Sequence, residues 1–100
     1  MAKINWTKEA EDWLKIIFNY IAEDNNDAAV RLVTAIYRKA EILNDFPLIG
    51  YKLHDWPDRH IRVLLYGHYR IAYLIRDEEN IDILGVFHGS LNLDKYLPKE

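Results

Sequence analysis

The side chains of this 100-residue chain best suited to chemistry are Arg62, Arg70 and His88, with Lys52 and Arg76 as supporting basic groups. Paired guanidinium groups bind phosphate or carboxylate through parallel hydrogen bonds, and an imidazole titrates close to neutral pH. Arg62 and Arg70 flank the tight reversal Tyr66-Gly67-His68. On adjacent antiparallel strands in register, they would approach a common anionic ligand. His88 ends the next apolar run in the phase of Leu84 and Val86, which would let it join them. The plainer reading gives each arginine an ion pair with Asp82 or a helix acid, and His88 a backbone partner at a strand end.

Other chemistries have little footing. Ser90 is the lone serine and lacks the G-x-S-x-G elbow of a serine hydrolase. Cysteine is absent, which removes disulfides, thiolate nucleophiles and cysteine-based zinc sites, and permits a reducing, cytoplasmic setting. The histidines at 54, 60, 68 and 88 never fall three or four residues apart, so a metal site would need convergence across strands. Gly50, Gly67, Gly85 and Gly89 are scattered and make no phosphate-binding loop. No metal or cofactor is expected.

Size and charge narrow the class further. A chain of 11.9 kDa buries roughly 65% of its extended surface, enough for one core and a single domain over residues 1–100. No apolar stretch approaches a membrane span of about 20 residues. Met1 to Thr7 lacks the plan of a signal peptide. The net charge of −3 argues against a protein that lives on nucleic-acid phosphates. Yet residues 51–76 carry Lys52, Arg59, Arg62, Arg70 and Arg76 against only Asp55 and Asp58, a basic island between acidic flanks.

The elements that must position these groups are legible in the periodicity. Ala2 to Trp6 alternates as a short strand. Thr7 offers an N-cap, and Ala10, Trp13, Leu14, Ile17, Phe18 and Ile21 recur at helical spacing over residues 8–23. The turn Glu23–Asp27 follows, with Asp27 as the expected cap of a second helix. That helix carries Ala29, Val33, Ile36, Ala40 and Leu43 and stops near Asn44, before Pro47 and Gly50. Ile61–Leu65, Tyr69–Arg76 and Ile81–Phe87 then read as strands joined by short turns, hence antiparallel neighbours. The order is β-α-α-β-β-β, an α+β domain with a helical hairpin on one face of an antiparallel sheet. Tyr69, Ile71, Tyr73 and Ile75 should face the helices, and Arg70, Ala72, Leu74 and Arg76 the other side.

The run R-V-L-L-Y-G-H-Y-R-I-A-Y-L-I-R at 62–76, followed by I-D-I-L-G-V-F-H-G at 81–89, resembles the RelE/ParE superfamily of bacterial type II toxins. An arginine on one strand, then Y-R-I-x-Y, then an apolar strand ending V-x-H is matched position by position. W-T-x-x-A-x-x-W-L at Trp6–Leu14 and P-x-x-G at Pro47–Gly50 fit as well. The resemblance implies a toxin held with a cognate antitoxin in a hetero-oligomer. The antitoxin would wrap it with a C-terminal helix and extended segment, against exposed apolar groups such as Ile16, Tyr20, Leu32 and Tyr37.

The superfamily has two mechanistic classes. By resemblance, RelE-like members cut mRNA in the ribosomal A site. There Arg70 would match the phosphate-binding arginine and His88 an acid or base, with Lys52 and Arg62 in support. ParE-like members instead poison DNA gyrase. Three features favour the second class. The chain is acidic, whereas ribosome binders depend on phosphate contacts. Gly89-Ser90-Leu91-Asn92 lacks arginines after the histidine, and the tail offers Tyr96 without a matching catalytic aromatic. The expected function is a ParE-like gyrase inhibitor. A ribosome-dependent mRNA endoribonuclease and a degenerate, antitoxin-binding member are the alternatives.

Overall fold

The computed structural model describes residues 2–55 and 59–89; the expectation for Tyr96 lies outside them. The chain runs β1 (Lys3–Trp6), α1 (Lys8–Ala22), α2 (Asn26–Glu41), a 3-10 turn (Ile42–Asn44), β2 (Tyr51–Lys52), β3 (Ile61–Tyr66), β4 (Tyr69–Asp77) and β5 (Asn80–His88). Thr7 caps α1 as expected, accepting from the Ala10 amide at 3.1 Å. Its hydroxyl also donates to the Ile83 carbonyl at 2.7 Å, tying the start of the helix to β5. The cap of α2 is Asn25, not Asp27. Asn25 has the extended backbone a cap requires, and its side chain accepts from the Ala28 amide at 3.0 Å. Asp27 lies inside the first turn, where its charge suits the helix dipole.

Two helices pack on a five-stranded sheet of order β1-β5-β4-β3-β2. The expected antiparallel sheet holds for β2 through β5, but β1 pairs parallel with β5, from Lys3↔Asn80 to Trp6↔Ile83. The sheet is therefore mixed. The physical reason is the two-residue β2, which the periodicity did not reveal. An up-down alternation over β-α-α-β-β-β ends antiparallel to its first strand, and one further reversal makes it parallel.

The helix-facing side of the sheet is the one expected. Ile71, Tyr73, Ile81, Ile83 and Val86 join Ala10, Leu14, Ile36 and Ala40 in the main core, with Tyr69 and Ile75 packed against it. Ile61, Val63, Ala72 and Phe87 form a second buried cluster with Leu53, Leu74, Leu84 and Trp13. A bulge shapes β5: Ala72 pairs with Gly85 but Tyr73 with Ile83, leaving Leu84 as the extra residue. The side-chain phase flips there. His88 shares its face with Val86, as expected, but not with Leu84, which joins the second cluster.

The connection from α2 to the sheet is held by two side chains. The Tyr73 ring is fully buried; its hydroxyl donates to the Pro47 carbonyl at 2.7 Å and accepts from the Gly50 amide at 3.0 Å. Arg62 donates to the Gly50 carbonyl at 2.7 Å and the Leu48 carbonyl at 3.1 Å. A third guanidinium nitrogen meets His60 Nε2 at 3.1 Å, and since arginine has no acceptor, Nε2 must be the unprotonated nitrogen. Gly50 is obligatory, because a Cβ there would stand 2.5 Å from the Val63 carbonyl oxygen.

Two outcomes follow from this clamp. Tyr73→Phe leaves the Pro47 carbonyl and Gly50 amide without their partner and should cost about 1–3 kcal/mol in denaturant unfolding, with the fold retained. A loss under about 0.5 kcal/mol would mean the hydroxyl is dispensable. Burial first, then the charges of Arg62 and Lys52, hold the His60 pKa below its ordinary value. The unfolded chain then binds more protons, so His60 contributes stability above the ordinary histidine pKa that is lost as pH falls toward the depressed one. Between about pH 7.5 and 5.5 the melting temperature should fall, and less steeply in His60→Gln, which keeps an acceptor for Arg62. Equal slopes in both proteins would remove His60 from the account.

Candidate functional site

Five basic or titratable side chains were the sequence candidates, and the register disperses them. Arg62 pairs with Tyr73 and so lies on the helix side of the sheet, whereas Arg70 pairs with Leu65 and Phe87 on the opposite side. The expected approach of Arg62 and Arg70 to one ligand does not occur. The cause is parity, because a two-residue turn at Gly67-His68 puts Arg62 opposite residue 73 and Arg70 opposite residue 65. His88 pairs with Tyr69 on the helix side, across the sheet from Arg70. It is also remote from Arg62: the four steps along β4 from Tyr69 to Tyr73 span roughly 13 Å.

Each group has a local environment of its own. Arg62 holds the Pro47–Gly50 loop, with backbone carbonyls as its partners. Lys52 is exposed and stands across from Arg62 on β2. Arg76 makes the ion pair foreseen as the plain alternative, 3.3 Å from Asp82, which also accepts from Asn5 at 3.2 Å. Arg70 is half-buried beside the second core cluster. No group of three or more potential metal ligands occurs among the described residues. His68 and His88 do converge across the hairpin, their rings stacked at 6.2 Å, while His60 is engaged by Arg62 at a separate place.

What the fold does assemble is an apolar groove of about 390 Å³ between α1 and the ends of β4 and β5. Trp13, Ile16, Ile17 and Tyr20 form one wall; Tyr69, Val86 and His88 form the other. Its origin is local. β1 covers the edge of β5 only from Asn80 to Ile83, and beyond the bulge no strand pairs with that edge among the described residues. Trp13 reaches around it to meet Phe87 edge-on at 4.9 Å, although Phe87 belongs to the far face. Gly85 permits this, since a Cβ there would lie 2.4 Å from the Phe87 ring. Tyr69 packs edge-on to His88 at 5.7 Å and closes the groove's end.

The residues suggested for a partner surface divide accordingly. Ile16 is 58% and Tyr20 77% exposed, and both line the groove. Leu32 packs against the main core, whereas Tyr37 is exposed as expected but lies outside the groove, its ring 4.4 Å from that of Trp6. Trp13, Tyr69 and Val86 were missed as wall residues. Tyr69 and Trp13 stood within the recognisable motifs, but their meeting required the bulge and the short β1.

Comparison with known proteins agrees with this architecture. None of the curated proteins compared matches the chain. Among solved structures, a chain from the "Chromosomal ParDE TA system from P. aeruginosa" superposes with a TM-score of 0.70 at 19% identity, covering 88% of this chain and 96% of that one. The two chains share a fold. No helix among the described residues is long and apolar enough to cross a membrane. A model of the family described as "ParE toxin of type II toxin-antitoxin system, parDE" matches residues 4–93, nearly the whole sequence, and the chain belongs to that ParE toxin family.

Proposed function

We propose that this chain is the growth-arresting component of its toxin–antitoxin module, that it acts in the cytoplasm by inhibiting DNA gyrase, and that a cognate antitoxin neutralises it. The observation that carries the choice of target is the dispersal of the basic groups. A ribonuclease needs its phosphate-binding cation and its acid or base around one phosphate. Here Arg70 and His88 occupy opposite faces of the sheet, and Arg62 is committed to loop carbonyls. The acidic net charge points the same way, because ribosome binding rests on phosphate contacts. Family membership supports the toxin reading.

The groove on α1 is the surface we assign to the antitoxin. An amphipathic helix or extended segment docks by placing spaced apolar anchors into such a groove, and the exposed Ile16 and Tyr20 offer the area to bury.

Purified protein should inhibit supercoiling by gyrase and leave mRNA on translating ribosomes intact. Cleavage of that mRNA with supercoiling untouched would replace the proposal by the ribonuclease reading. Arg70→Ala and His88→Ala, made singly, should each retain growth arrest within about threefold in plating efficiency. Catalytic loss would instead be on the order of 100-fold or more. For the groove, Ile16→Asp with Tyr20→Asp should weaken antitoxin binding by at least about tenfold in titration calorimetry, as expected for central apolar anchors. Unchanged affinity would place the antitoxin elsewhere.

A further inference from the structure

The run from Asp45 to Lys52 carries apolar side chains that the core does not use. Tyr73 and Arg62 draw the carbonyls of Pro47, Leu48 and Gly50 inward, and the side chains of Phe46, Leu48 and Ile49 stand outward. These three, with Tyr51 and Leu65, are between 44% and 60% exposed. Tyr51 pairs with Val63, and Leu65 follows Val63 on the same face of β3, which makes it the diagonal neighbour of Tyr51. The patch therefore extends from the loop onto the edge of the sheet, where β2 is the last strand. Five large side chains about half exposed leave on the order of 500 Å² of apolar surface open, comparable to the largest patch of a typical monomer.

Area and charge together select the partner. Two copies joined through this face would bury about 1,000 Å² in total, the lower bound of a specific interface. The face is also complementary to itself. A hollow of about 420 Å³ lined by Asp45, Phe46, Pro47, Leu48 and Ile49 lies beside the projecting side chains. An exposed acid, Asp45, opens the run and an exposed base, Lys52, closes it. Neither makes an ion pair among the described residues, where the salt bridges are Lys8–Asp12 and Arg76–Asp82. A two-fold axis through the apolar centre reverses the second copy and sets each Asp45 opposite Lys52 of the other copy. We propose that this loop and sheet edge join two copies of the chain into a two-fold dimer, apolar at its centre and closed at its rim by two Asp45–Lys52 pairs. Tyr73 and Arg62 already fix the loop backbone, so little ordering opposes association. β2 lies at the opposite edge of the sheet from β1, so the dimer leaves both α1 grooves open. It depends on neither the gyrase nor the antitoxin reading.

Sedimentation equilibrium of the purified full chain at about 50 mM salt tests this, since rim charges are weakly screened there. The wild type should show a reversible monomer–dimer equilibrium with a Kd on the order of 1–100 μM, as an interface of this size allows. Phe46→Asp/Leu48→Asp should be monomeric over the same concentrations; both side chains are exposed, so an unchanged melting temperature serves as the folding control. Asp45→Lys and Lys52→Glu, each alone, set like charges opposite one another at both ends and should weaken the dimer about fivefold or more. The exchanged pair Asp45→Lys/Lys52→Glu should restore wild-type affinity, which unspecific apolar association would not do. A wild-type chain that stays monomeric would overturn the proposal, as would a dimer undisturbed by Phe46→Asp/Leu48→Asp. Single charge variants without effect, or weakened ones that the exchange does not rescue, would overturn the two-fold pairing and the proposal with it.

Discussion

The Tyr73 hydroxyl is the point on which the arrangement turns. A tyrosine ring buried in a core of aliphatic side chains must find partners for its one polar atom, and here both come from the Pro47–Gly50 loop. Arg62 takes two further carbonyls of the same loop from the neighbouring strand. Together they place the exit from α2 against the sheet and set where β2 begins. That placement is why β2 can pair with β3, Tyr51 with Val63 and Lys52 with Arg62. The tight approach of Gly50 to the Val63 carbonyl leaves no alternative residue at that position.

The Arg62 guanidinium is engaged by the loop carbonyls and by His60. Arg62 raises the cost of protonating His60, and the pair keeps the loop's carbonyls satisfied. Two apolar concavities lie along the helices instead. On one flank, the short β1 and the bulge at Leu84 expose an apolar wall between α1 and β5. On the other, α2 carries cations around an apolar floor. The sheet thus works as a frame, and both of these concave surfaces are lined largely by the helical hairpin.

Much of the frame was legible in residue patterns. The helical stripe from Ala10 to Ile21, the cap at Thr7 and the alternation of Tyr69, Ile71, Tyr73 and Ile75 each reflect a local rule with one strong solution. β2 escaped notice because two residues have no period to display. Missing it changed the count of chain reversals, and with it the direction of β1 relative to β5. The bulge escaped for a related reason. Ile83, Leu84, Val86 and Phe87 are all apolar around Gly85, so nothing in the alternation marks Leu84 as the extra residue.

The sequence by itself determined the elements, their order, the helix-facing side of β4 and membership in a recognisable family, because those depend on local periodicity and motif spacing. Only the tertiary structure decided what the motif residues do. Arg62, Arg70 and His88 are close in sequence pattern yet separated by strand register, since each step along a strand reverses the face a side chain occupies. The P-x-x-G run and the second tyrosine of Y-R-I-x-Y, 26 residues apart from Pro47 to Tyr73, meet as donor and acceptor. Contacts over that separation follow from how many times the chain turns back on itself, which no local pattern records.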